Sequence, residues 1–490
     1  MKKTLSVVGG GFGGLCSACY LAAAGHDVTL FEKNESLGGR ARAWNVDGFS
    51  FDLGPSWYLM PEVFERFFGD FSRRREDYYT LNRLNPYYRI FFGGHETVDV
   101  TDDLEQTRAL FERFEPGGAE RLDAYLKQAE YKYTVAMEEF LYREYRSFRD
   151  FLNRRLLIEG TRLGVFRKLD RFVGRYFSDH RARKILEYAM VFLGTSPTDA
   201  PALYSIMSHV DLNLGVWFPR GGMISLVRAL ERLAGELGVT IRCNTPIRGF
   251  DFRDRRIRAL RTDSGDEPTD GVLVNADYAH SELDLMPDEG RSYGERYWKS
   301  RTLAPSFFVV YLGLTRKLRS LVHHNLYFAD DWERHFDSIF RTPGWPDYPS
   351  YYVSCASYDD PTVAPQGKEN VFILVPVAAG LDDSTEFREQ YAEKLIEHFE
   401  SITGETIRDS IAVKRLYSQR DFADDYNAYR GTALGLAHTL FQTAVFRPSQ
   451  RSRKVDNLYY AGQYTHPGVG VPMTFISSRV IARSMAEELS

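Results

Sequence analysis

The first 32 residues read as a strand, a glycine-rich turn, a helix and a second strand, and this order constrains the fold more than any other feature. The turn carries G-x-G-x-x-G at Gly9, Gly11 and Gly14, and a second apolar run, 27–31, leads to Glu32. Gly9 permits a tight turn, Gly11 lets the backbone approach a pyrophosphate, and Gly14 lets the helix pack on the strand. Free N–H groups at the helix N-terminus would point at the phosphates. We therefore predict an α/β domain that binds a dinucleotide.

The acidic residue after the second strand, Glu32, restricts which dinucleotide can bind. Its carboxylate is placed to accept hydrogen bonds from the ribose hydroxyls, and it would repel the additional phosphate of NADP. The flanking residues Phe12, Gly13 and Lys33 belong to the same predicted site. The sequence thus argues against NADP.

Size and composition limit the remaining possibilities. A chain of 490 residues exceeds one hydrophobic core, so we expect two or three domains. The 62 basic and 67 acidic residues nearly balance, so we expect no broad basic surface that would bind nucleic acid. No metal site is predicted. The 34 Phe and 30 Tyr residues can line an apolar cavity or lie at an interface.

The four cysteines and the hydropathy pattern indicate the cellular compartment and the kind of membrane contact to expect. Cys16 and Cys19 lie one turn apart in the first helix pattern, where we interpret them as small packing residues, and four cysteines are too few for a disulfide framework. This composition fits a reducing cytoplasm. No run approaches the ~20 apolar residues that span a bilayer, so we expect only peripheral membrane contact.

Two segments after Glu32 predict further contact with the cofactor. Gly39 and Arg40, in a Gly-Gly-Arg sequence, suit a second approach of backbone and guanidinium to phosphate, although a surface turn with solvated arginines has the same composition. The stretch Gly54, Pro55 and Ser56 follows shortly after. We place all five residues in the predicted cofactor site.

The C-terminal segment repeats the pattern of a strand followed by a glycine turn and a helix. A strand ends at Gly462-Gln463, and Gly470-Val471-Pro472 precedes a helix predicted from Met473 to Leu489. Backbone N–H groups there could hold an isoalloxazine carbonyl. A cofactor bound by both ends of the chain is large, and no second complete G-x-G-x-x-G is present for a nicotinamide. The sequence therefore favours FAD over NAD.

Between these segments the pattern predicts a helical part and a second sheet. Residues 105–190 are mostly helical in pattern, and Ser225–Leu237 is a further helix. Strands are expected at 306–314, 324–328, 350–356 and 370–376, and Ile257–Thr262 and Gly271–Asn275 are expected to be neighbouring strands.

One helical segment, Leu163–Phe177, is amphipathic with a basic face. Arg167, Lys168, Arg171 and Arg175 lie opposite an apolar, aromatic face. This pattern is typical of a helix on a membrane surface, and equally of a core helix with a solvated basic face. The sequence leaves both interpretations open.

These segments together resemble the phytoene desaturase family of carotenoid enzymes, within the wider group of FAD-dependent amine oxidases and desaturases. The resemblance runs almost from end to end, and its C-terminal block and its Trp-Phe-Pro-Arg-Gly-Gly block are specific to that family. The matching residues are 7–14, 38–41, 51–56, 215–222, 274–277, 447–448, 458–462 and 465–472.

The resemblance implies an α/β protein with three parts. A Rossmann-like FAD-binding domain of the glutathione-reductase-like ββα type would be discontinuous, comprising residues 1–75, 211–285 and 415–490. A mixed-sheet substrate domain would comprise residues 76–105 and 286–414. A helical, membrane-docking part would comprise residues 106–210. The resemblance also adds Arg220, Ile247, Asn275, Ala276 and Asp277 to the cofactor site.

The activity implied by the resemblance is desaturation of a linear isoprenoid. A hydrophobic polyene such as phytoene would bind in a long tunnel, pass a hydride to flavin N5 and lose a proton from the adjacent carbon. Oxygen or a quinone would reoxidise the flavin without NAD. The protein would be cytoplasmic and associate peripherally with a membrane lipid surface, and its oligomeric state stays open.

Few titratable catalytic residues are expected, because the flavin performs the difficult step. The resemblance makes Arg149 and Asp150 candidates for an acid–base pair, but Asn153 stands where relatives can carry an arginine, and an exposed helix carboxylate is the alternative interpretation of Asp150. His466, beside the C-terminal glycine turn, either orders the backbone or contacts a flavin oxygen.

Four other functions share much of this pattern. A carotenoid cis–trans isomerase uses reduced FAD without net oxidation. A desaturase that acts later in a pathway, on lycopene-like or hydroxylated carotenoids, or on C30 precursors, would look nearly the same. An amine oxidase is disfavoured because no cysteine suits a covalent flavin link. A non-catalytic flavin scaffold is disfavoured because the predicted phosphate, ribose and isoalloxazine contacts are all present.

Overall fold

The computed structural model describes residues 1–94, 96–146 and 163–489. Within these ranges nineteen strands form three larger sheets and two small ones. The strands, in chain order, are β1 (Thr4–Val8), β2 (Asp27–Phe31), β3 (Ala43–Val46), β4 (Phe49–Asp52), β5 (Leu81–Arg83), β6 (Tyr88–Phe92), β7 (Glu96–Val100), β8 (Trp217–Pro219), β9 (Thr240–Arg242), β10 (Gly249–Arg253), β11 (Arg256–Thr262), β12 (Gly265–Pro268), β13 (Gly271–Val274), β14 (Ser306–Leu314), β15 (His324–Phe328), β16 (Tyr351–Ser354), β17 (Glu369–Val377), β18 (Ile411–Tyr417) and β19 (Leu458–Tyr460).

The α-helices cover the sheets and build a separate helical part between β7 and β8. None of the helices in the described ranges is long and apolar enough to cross a membrane. In chain order they are α1 (Phe12–Ala23), α2 (Pro61–Gly69), α3 (Leu104–Phe114), α4 (Gly118–Val135), α5 (Leu169–Val173), α6 (His180–Glu187), α7 (Ile206–His209), α8 (Ile224–Glu236), α9 (Tyr278–His280), α10 (Glu295–Lys299), α11 (Trp332–Phe340), α12 (Thr385–Thr403), α13 (Gln419–Tyr426) and α14 (Val471–Leu489).

The N-terminal motif lies in a five-stranded parallel sheet of order β19-β13-β1-β2-β9. Helix α1 packs between this sheet and helices α8 and α14, which come from distant parts of the chain. Cys16 and Cys19 are completely buried in that packing and form no disulfide, and burial raises the pKa of both thiols. The interpretation of the two cysteines as packing residues is confirmed.

One predicted strand pairing is wrong. β11 and β13 were expected to be neighbours, but β11 pairs with β12 in a three-stranded antiparallel sheet, and β13 lies beside β1. The turn at Asp263–Ser264 closes a short hairpin, because the residues that follow it, Gly265–Pro268, themselves form a strand. The sequence predicts a turn over residues 263–266, and two of these residues, Gly265 and Asp266, belong to this strand.

The second large sheet is mixed, as predicted. Its order is β18-β14-β17-β16-β15-β6-β7, with β15 and β6 parallel and the other pairs antiparallel. Predicted strands 306–314 and 324–328 match β14 and β15. Alternate residues divide the sheet: Phe308 and Val310 face helix α12, whereas Val309 and Tyr311 face the interior of the molecule. This inner face forms one wall of the cavity described below.

The single amphipathic helix predicted over Leu163–Phe177 is not present. Only Leu169–Val173 is α-helical, and Leu169, Val173 and Phe177 are buried in the main hydrophobic core. The basic residues opposite them are exposed. The apolar face is therefore a core face, because it packs against α3 and α4 through aromatic contacts such as Phe111–Phe177 and Tyr125–Phe172.

Candidate functional site

A single cavity of about 1340 Å³ connects the parallel sheet with the inner face of the mixed sheet. At one end its wall consists of glycine turns and polar side chains, which we call the cofactor half. At the other end its wall consists of aromatic and aliphatic side chains, which we call the apolar half. The two halves are continuous, so a group bound in one can contact a molecule bound in the other.

The turn between β1 and α1 has no room for side chains. A Cβ on Gly14 would lie 1.9 Å from the Gly9 carbonyl oxygen, and a Cβ on Gly13 would lie 2.2 Å from Asn275 Nδ2. Gly9 has φ +97°, which favours glycine, whereas Gly11 has φ −74° and is restricted only by space. No side chain caps the N-terminus of α1, so its N–H groups remain available to an anion.

Glu32 closes the ribose side of this turn. The backbone N–H of Gly10 donates to Glu32 Oε2 at 2.7 Å, and the N–H of Asn34 donates to Oε1 at 2.9 Å. The carboxylate is buried and lines the cavity, and each oxygen keeps a lone pair for a hydroxyl. Beside it, Lys33 Nζ donates to the Asp424 carbonyl at 2.6 Å, and burial lowers the pKa of Lys33.

Arg40 is half-buried, and two of its guanidinium nitrogens lack a hydrogen-bond partner among the described residues. Its Nε and Nη2 atoms are buried and have no acceptor among the described residues, and its guanidinium lies 5.2 Å from the centre of the Tyr426 ring. Asp277 is also buried and accepts from the Tyr464 hydroxyl at 2.6 Å; burial raises the pKa of Asp277, while Tyr464 and Arg40 oppose that rise. A guanidinium with buried, unsatisfied donors requires an anionic partner such as a pyrophosphate.

The C-terminal turn completes the cofactor half. Asn275 Nδ2 donates to the Ala461 carbonyl at 3.1 Å, and a Cβ on Gly462 would lie 2.6 Å from that same nitrogen. Gln463 Nε2 is buried without a partner among the described residues, and Gly470 precedes helix α14. Together with α1 and Arg40, these groups fit FAD: a glycine cradle and a helix N-terminus for the pyrophosphate, a carboxylate for a ribose, and open donors for the ring.

Two buried residues that hold the C-terminal turn were missed by the sequence-based site prediction. Arg447 donates from Nε to the Tyr464 carbonyl at 3.2 Å and from Nη2 to the Gln463 carbonyl, and burial lowers its pKa to about 10. The N–H of Val469 donates to His438 Nε2 at 3.2 Å. Arg447 lies in a matched block and could have been included, whereas nothing in the sequence around His438 signals this contact.

Nearly all predicted cofactor residues line the cavity. Those that do are Gly9, Gly11, Phe12, Gly13, Glu32, Lys33, Gly39, Arg40, Gly54, Pro55, Ser56, Ile247, Asn275, Ala276, Asp277, Gly462, Gln463, Gly470, Val471 and Pro472. Gly14 does not line it and serves the packing of α1 instead.

Arg220, also predicted in the cofactor site, does not line the cavity, and its side chain is exposed. The glycine turn that follows it begins helix α8, and protein carboxylates occupy the N–H groups there. Met223 N–H donates to Asp52 at 2.9 Å and Gly221 N–H donates to Asp360. Burial raises the pKa of Asp52 to about 7. Two backbone N–H groups of this second glycine turn therefore bind carboxylates of the protein itself.

Of the three predicted catalytic residues, the structure describes only His466. Arg149 and Asp150 lie outside the described residues. His466 is buried, lines the cavity and packs edge-on against Tyr145 at 4.9 Å between ring centres. Burial lowers the pKa of His466 to about 4, so its ring is neutral at pH 7. Its role stays a prediction, limited now to a neutral imidazole.

The apolar half is built from side chains of many elements. The mixed sheet contributes the inner faces of β14, β16 and β17, and Trp57, Tyr188 and Phe192 also line this half. Two of the lining phenylalanines, Phe166 and Phe441, are 78% and 71% exposed. The cavity thus has an apolar rim at the protein surface. One acidic residue, Asp211, also lines this half.

Comparison with known proteins identifies a matching family profile and several relatives. A sequence profile described as "Flavin containing amine oxidoreductase" matches residues 12–486. The chain is 46% identical over 489 residues to the carotenoid 3,4-desaturase of Haloarcula japonica, covering 100% of this chain and 99% of the relative. It is 36% identical over 488 residues to the zeta-carotene-forming phytoene desaturase of Myxococcus xanthus, covering 99% and 94%.

Solved structures share the fold at low sequence identity. An oxidoreductase from Methanosarcina mazei matches with a TM-score of 0.64 and 16% identity, covering 98% of this chain and 100% of that one. At this level of identity, the likeness shows the fold alone.

Proposed function

This chain belongs to the family of flavin-containing amine oxidoreductases, and on that premise we propose that it is an FAD-dependent carotenoid desaturase acting on a linear polyene. The observation that carries the proposal is the continuity of the two halves of the cavity. The cofactor half offers a glycine cradle and the unpartnered guanidinium of Arg40, and it opens directly into the apolar half. An amine substrate would find few polar partners there, whereas a hydrocarbon chain would bury its whole surface.

The protein itself supplies position and a dry environment. When bound, FAD accepts the two electrons that leave the bond being desaturated. The inner face of the mixed sheet, with Val309, Tyr311 and Leu374, and the other aromatic side chains of this half would hold the chain flat against the cofactor half. Reacting atoms must approach to roughly 3–3.5 Å, so a rigid wall of buried rings restricts the chain to productive positions.

Within carotenoid desaturases, similarity favours a later step over the desaturation of phytoene. The chain is more similar to a carotenoid 3,4-desaturase than to a phytoene desaturase, and both relatives are matched over nearly their whole length. We therefore propose a 3,4-desaturation of an acyclic carotenoid. Oxygen or a quinone would accept the electrons, since the described residues include no second glycine cradle for a nicotinamide.

The rim of the apolar half would open toward lipid. Phe166 and Phe441 are exposed although they line the cavity, and Arg167, Lys168 and Arg171 beside Phe166 are exposed as well. A hydrocarbon substrate resides in a bilayer, so an apolar rim next to cationic side chains suits extraction from an anionic membrane. We expect Phe441→Ser to weaken flotation with anionic vesicles while flavin content stays unchanged. Unchanged flotation would exclude this rim as the docking surface.

The activity is tested with FAD-loaded protein and lycopene in liposomes. With oxygen or a quinone and without NADH, the absorption of the polyene should shift to longer wavelengths as conjugation extends, and NADH alone should not bleach the flavin. Conversion of a poly-cis lycopene to the all-trans form only after the flavin is reduced would instead identify an isomerase.

A further inference from the structure

A line of polar side chains begins in the cavity wall and leads to the protein surface. The Ser56 hydroxyl, in the cofactor half, lies 3.0 Å from the Tyr352 hydroxyl, in the apolar half. The Tyr352 hydroxyl in turn lies 2.7 Å from His324 Nδ1. All three residues are buried. This chain of hydrogen bonds therefore starts where the two halves meet, which is where the reacting bond of a polyene would lie.

The register of the mixed sheet explains why the tyrosine and the histidine meet. β15 and β16 are antiparallel, with His324 opposite Ser354 and Leu326 opposite Tyr352. Side chains two residues apart share a face of a strand, so His324 and Tyr352 are diagonal neighbours on the same face. The Trp57 ring stacks on the imidazole at 4.3 Å, which fixes the plane of the ring. Burial lowers the pKa of His324 well below its usual value, so the ring is neutral.

The preceding residue, His323, continues the line to solvent. Its Nδ1 lies 3.1 Å from Asp359 Oδ2, and the Asp359 side chain is 29% exposed. An ionised carboxylate only accepts hydrogen bonds, so His323 Nδ1 carries a hydrogen. In the neutral imidazole, Nε2 is then an acceptor. His323 thus links a surface carboxylate to the buried imidazole beside it.

Two buried nitrogens lie between the two parts of this line. Nε2 of His323 and Nε2 of His324 both lack a partner among the described residues, and the two rings are in contact at 4.5 Å between centres. When Tyr352 donates to His324 Nδ1, the hydrogen of the His324 ring is on Nε2. One Nε2 is then a donor and the other an acceptor. A hydrogen bond between them, direct or through one water, would satisfy both.

We propose that these groups form a proton relay, through which the proton lost by the polyene leaves the cavity. From the cavity to solvent, its members are Ser56, Tyr352, His324, His323 and Asp359. The proposal rests on the proposed desaturation. The remainder of the apolar half offers few polar groups, so a proton released there needs such a path to reach water.

The step balances in atoms and electrons. Desaturation removes one hydride, with two electrons, to the cofactor, and leaves a cation next to the double bonds. The adjacent C–H bond then breaks, its electron pair becomes the new double bond, and its proton passes to the Ser56 hydroxyl. A neutral hydroxyl is sufficient because a C–H bond next to a cation is strongly acidic.

Each relay group accepts one proton and passes its own hydrogen to the next group, so no buried group keeps a charge. Asp359 receives the last proton and releases it to solvent. The electron acceptor, oxygen or a quinone, takes up two electrons and two protons. One of these protons must return from solvent in each cycle, and the reverse shift then restores the starting tautomers of both histidines.

The test asks whether exchangeable hydrogens move in the step. Holoenzyme is mixed with lycopene in liposomes without oxygen, and one conversion is followed by polyene absorption in light and in heavy water. The relay hydrogens exchange with solvent, so heavy water should slow the wild type. A carboxylate that took the proton directly from carbon would show no such effect, because that hydrogen comes from the polyene.

Tyr352→Phe interrupts the relay and keeps the aromatic ring. Conversion should slow about a hundredfold and lose its solvent isotope effect, with unchanged flavin content, because a positioned proton-transfer group contributes at least that much. Tyr351→Phe is the matched control. The Tyr351 hydroxyl also meets a histidine, His398 Nδ1 at 3.0 Å, but it lies on the other face of β16 and outside the cavity. This control should keep the wild-type rate and isotope effect.

Asp359→Asn tests the exit of the relay. Asp359 does not line the cavity, so its loss leaves the cavity wall unchanged. Conversion should slow less than in Tyr352→Phe, by about tenfold, since water can in part replace an exposed acceptor. The control is Asp347→Asn, because the Asp347 carboxylate is equally at the surface and pairs with Arg334 instead of a histidine. It should convert lycopene at the wild-type rate.

A second measurement needs no turnover. Nitrogen NMR of isotope-labelled histidines in resting holoenzyme reports which ring nitrogen carries the hydrogen. Tyr352→Phe should change the His324 resonances and shift those of His323 with them, since the relay joins the two rings. Tyr351→Phe should shift only the resonances of His398.

Three results would overturn the proposal. The first is a wild type that converts lycopene equally fast in light and heavy water. The second is a slow Tyr352→Phe enzyme that keeps the full isotope effect, which would make Tyr352 a residue of the wall only. The third is a His323 resonance that Tyr352→Phe leaves unmoved. If the wild type converts no polyene but the histidine resonances shift together, the relay stands and the proposed function fails.

Discussion

The two halves of the cavity are built in opposite ways. The cofactor half contains many glycines, and a Cβ there would meet backbone, as at Gly54, or the Asn275 side chain, as at Gly13 and Gly462. The apolar half consists of side chains from the mixed sheet, the helical part and the loop after β4. A backbone cradle tolerates almost no substitution, whereas a wall of rings can exchange one apolar residue for another of similar volume. Cofactor binding should therefore be fixed within the fold, while substrate choice can vary.

The largest expected effect is loss of the cofactor from a single methyl-bearing substitution. Gly11→Val should abolish FAD binding, because even its Cβ would lie 3.1 Å from Asn275 Oδ1 and its methyl groups would fill the space above the α1 N-terminus. Flavin absorbance after purification measures the effect. Gly235→Ala, in open space on α8, is the control and should keep full flavin content. A yellow Gly11→Val protein would contradict the cradle assignment.

A smaller loss is expected when the unpartnered cation is removed. Arg40→Met keeps much of the side-chain length but removes the guanidinium whose Nε and Nη2 lack protein acceptors. A charge-assisted hydrogen bond contributes about 1.5–3 kcal/mol, so FAD should bind roughly 10- to 100-fold more weakly. Titration of apoprotein with FAD measures the affinity. An unchanged affinity would show that Arg40 does not contact the cofactor.

The apolar half should respond in turnover and not in flavin content. Phe192 packs against Trp57, Tyr188 and Tyr352 in the cavity wall. Phe192→Ala should lower the rate of polyene desaturation about tenfold, because a displaced chain spends less time at reacting distance. Flavin content should equal that of the wild type. A variant that loses flavin together with activity would break the distinction between the two halves.

The smallest effect is expected from the substitution of Arg220. Arg220 is exposed and lies outside the cavity, although the sequence placed it in the cofactor site. Arg220→Ala should leave FAD affinity and turnover within about twofold of the wild type, since exposed substitutions change stability by about 0.5 kcal/mol or less. A tenfold loss of FAD affinity would return Arg220 to the site.

The sequence was most informative where a few consecutive residues determine the local backbone conformation. The turn at Gly9–Gly14, the end of β2 at Glu32 and the turn at Gly462 were all identified from local patterns, and the structure brings them into one wall. Strands β14 and β15 were also predicted within their observed bounds. Each of these signals depends on a few consecutive residues and on steric rules that apply before any tertiary contact forms.

Tertiary packing decided the outcome where a local pattern was compatible with two. The apolar face at Leu169 and Phe177 suited a membrane helix as well as a core, and its packing on α3 and α4 decided for the core. Next to Arg220, which the resemblance adds to the cofactor site, the backbone N–H groups of Gly221 and Met223 donate to Asp360 and Asp52. In both cases the deciding partners come from distant parts of the chain.

The sequence by itself determined that the chain binds a dinucleotide through a glycine cradle, because that cradle is a property of consecutive residues. The tertiary structure decided which polar groups lie in the wall of the apolar half. Asp211, Tyr88 and Tyr188 are far apart in the chain and carry no shared motif, yet the fold joins them around one open carboxyl oxygen. Hydrogen bonds between distant residues depend on the packing that brings them together, and local sequence patterns do not encode that packing.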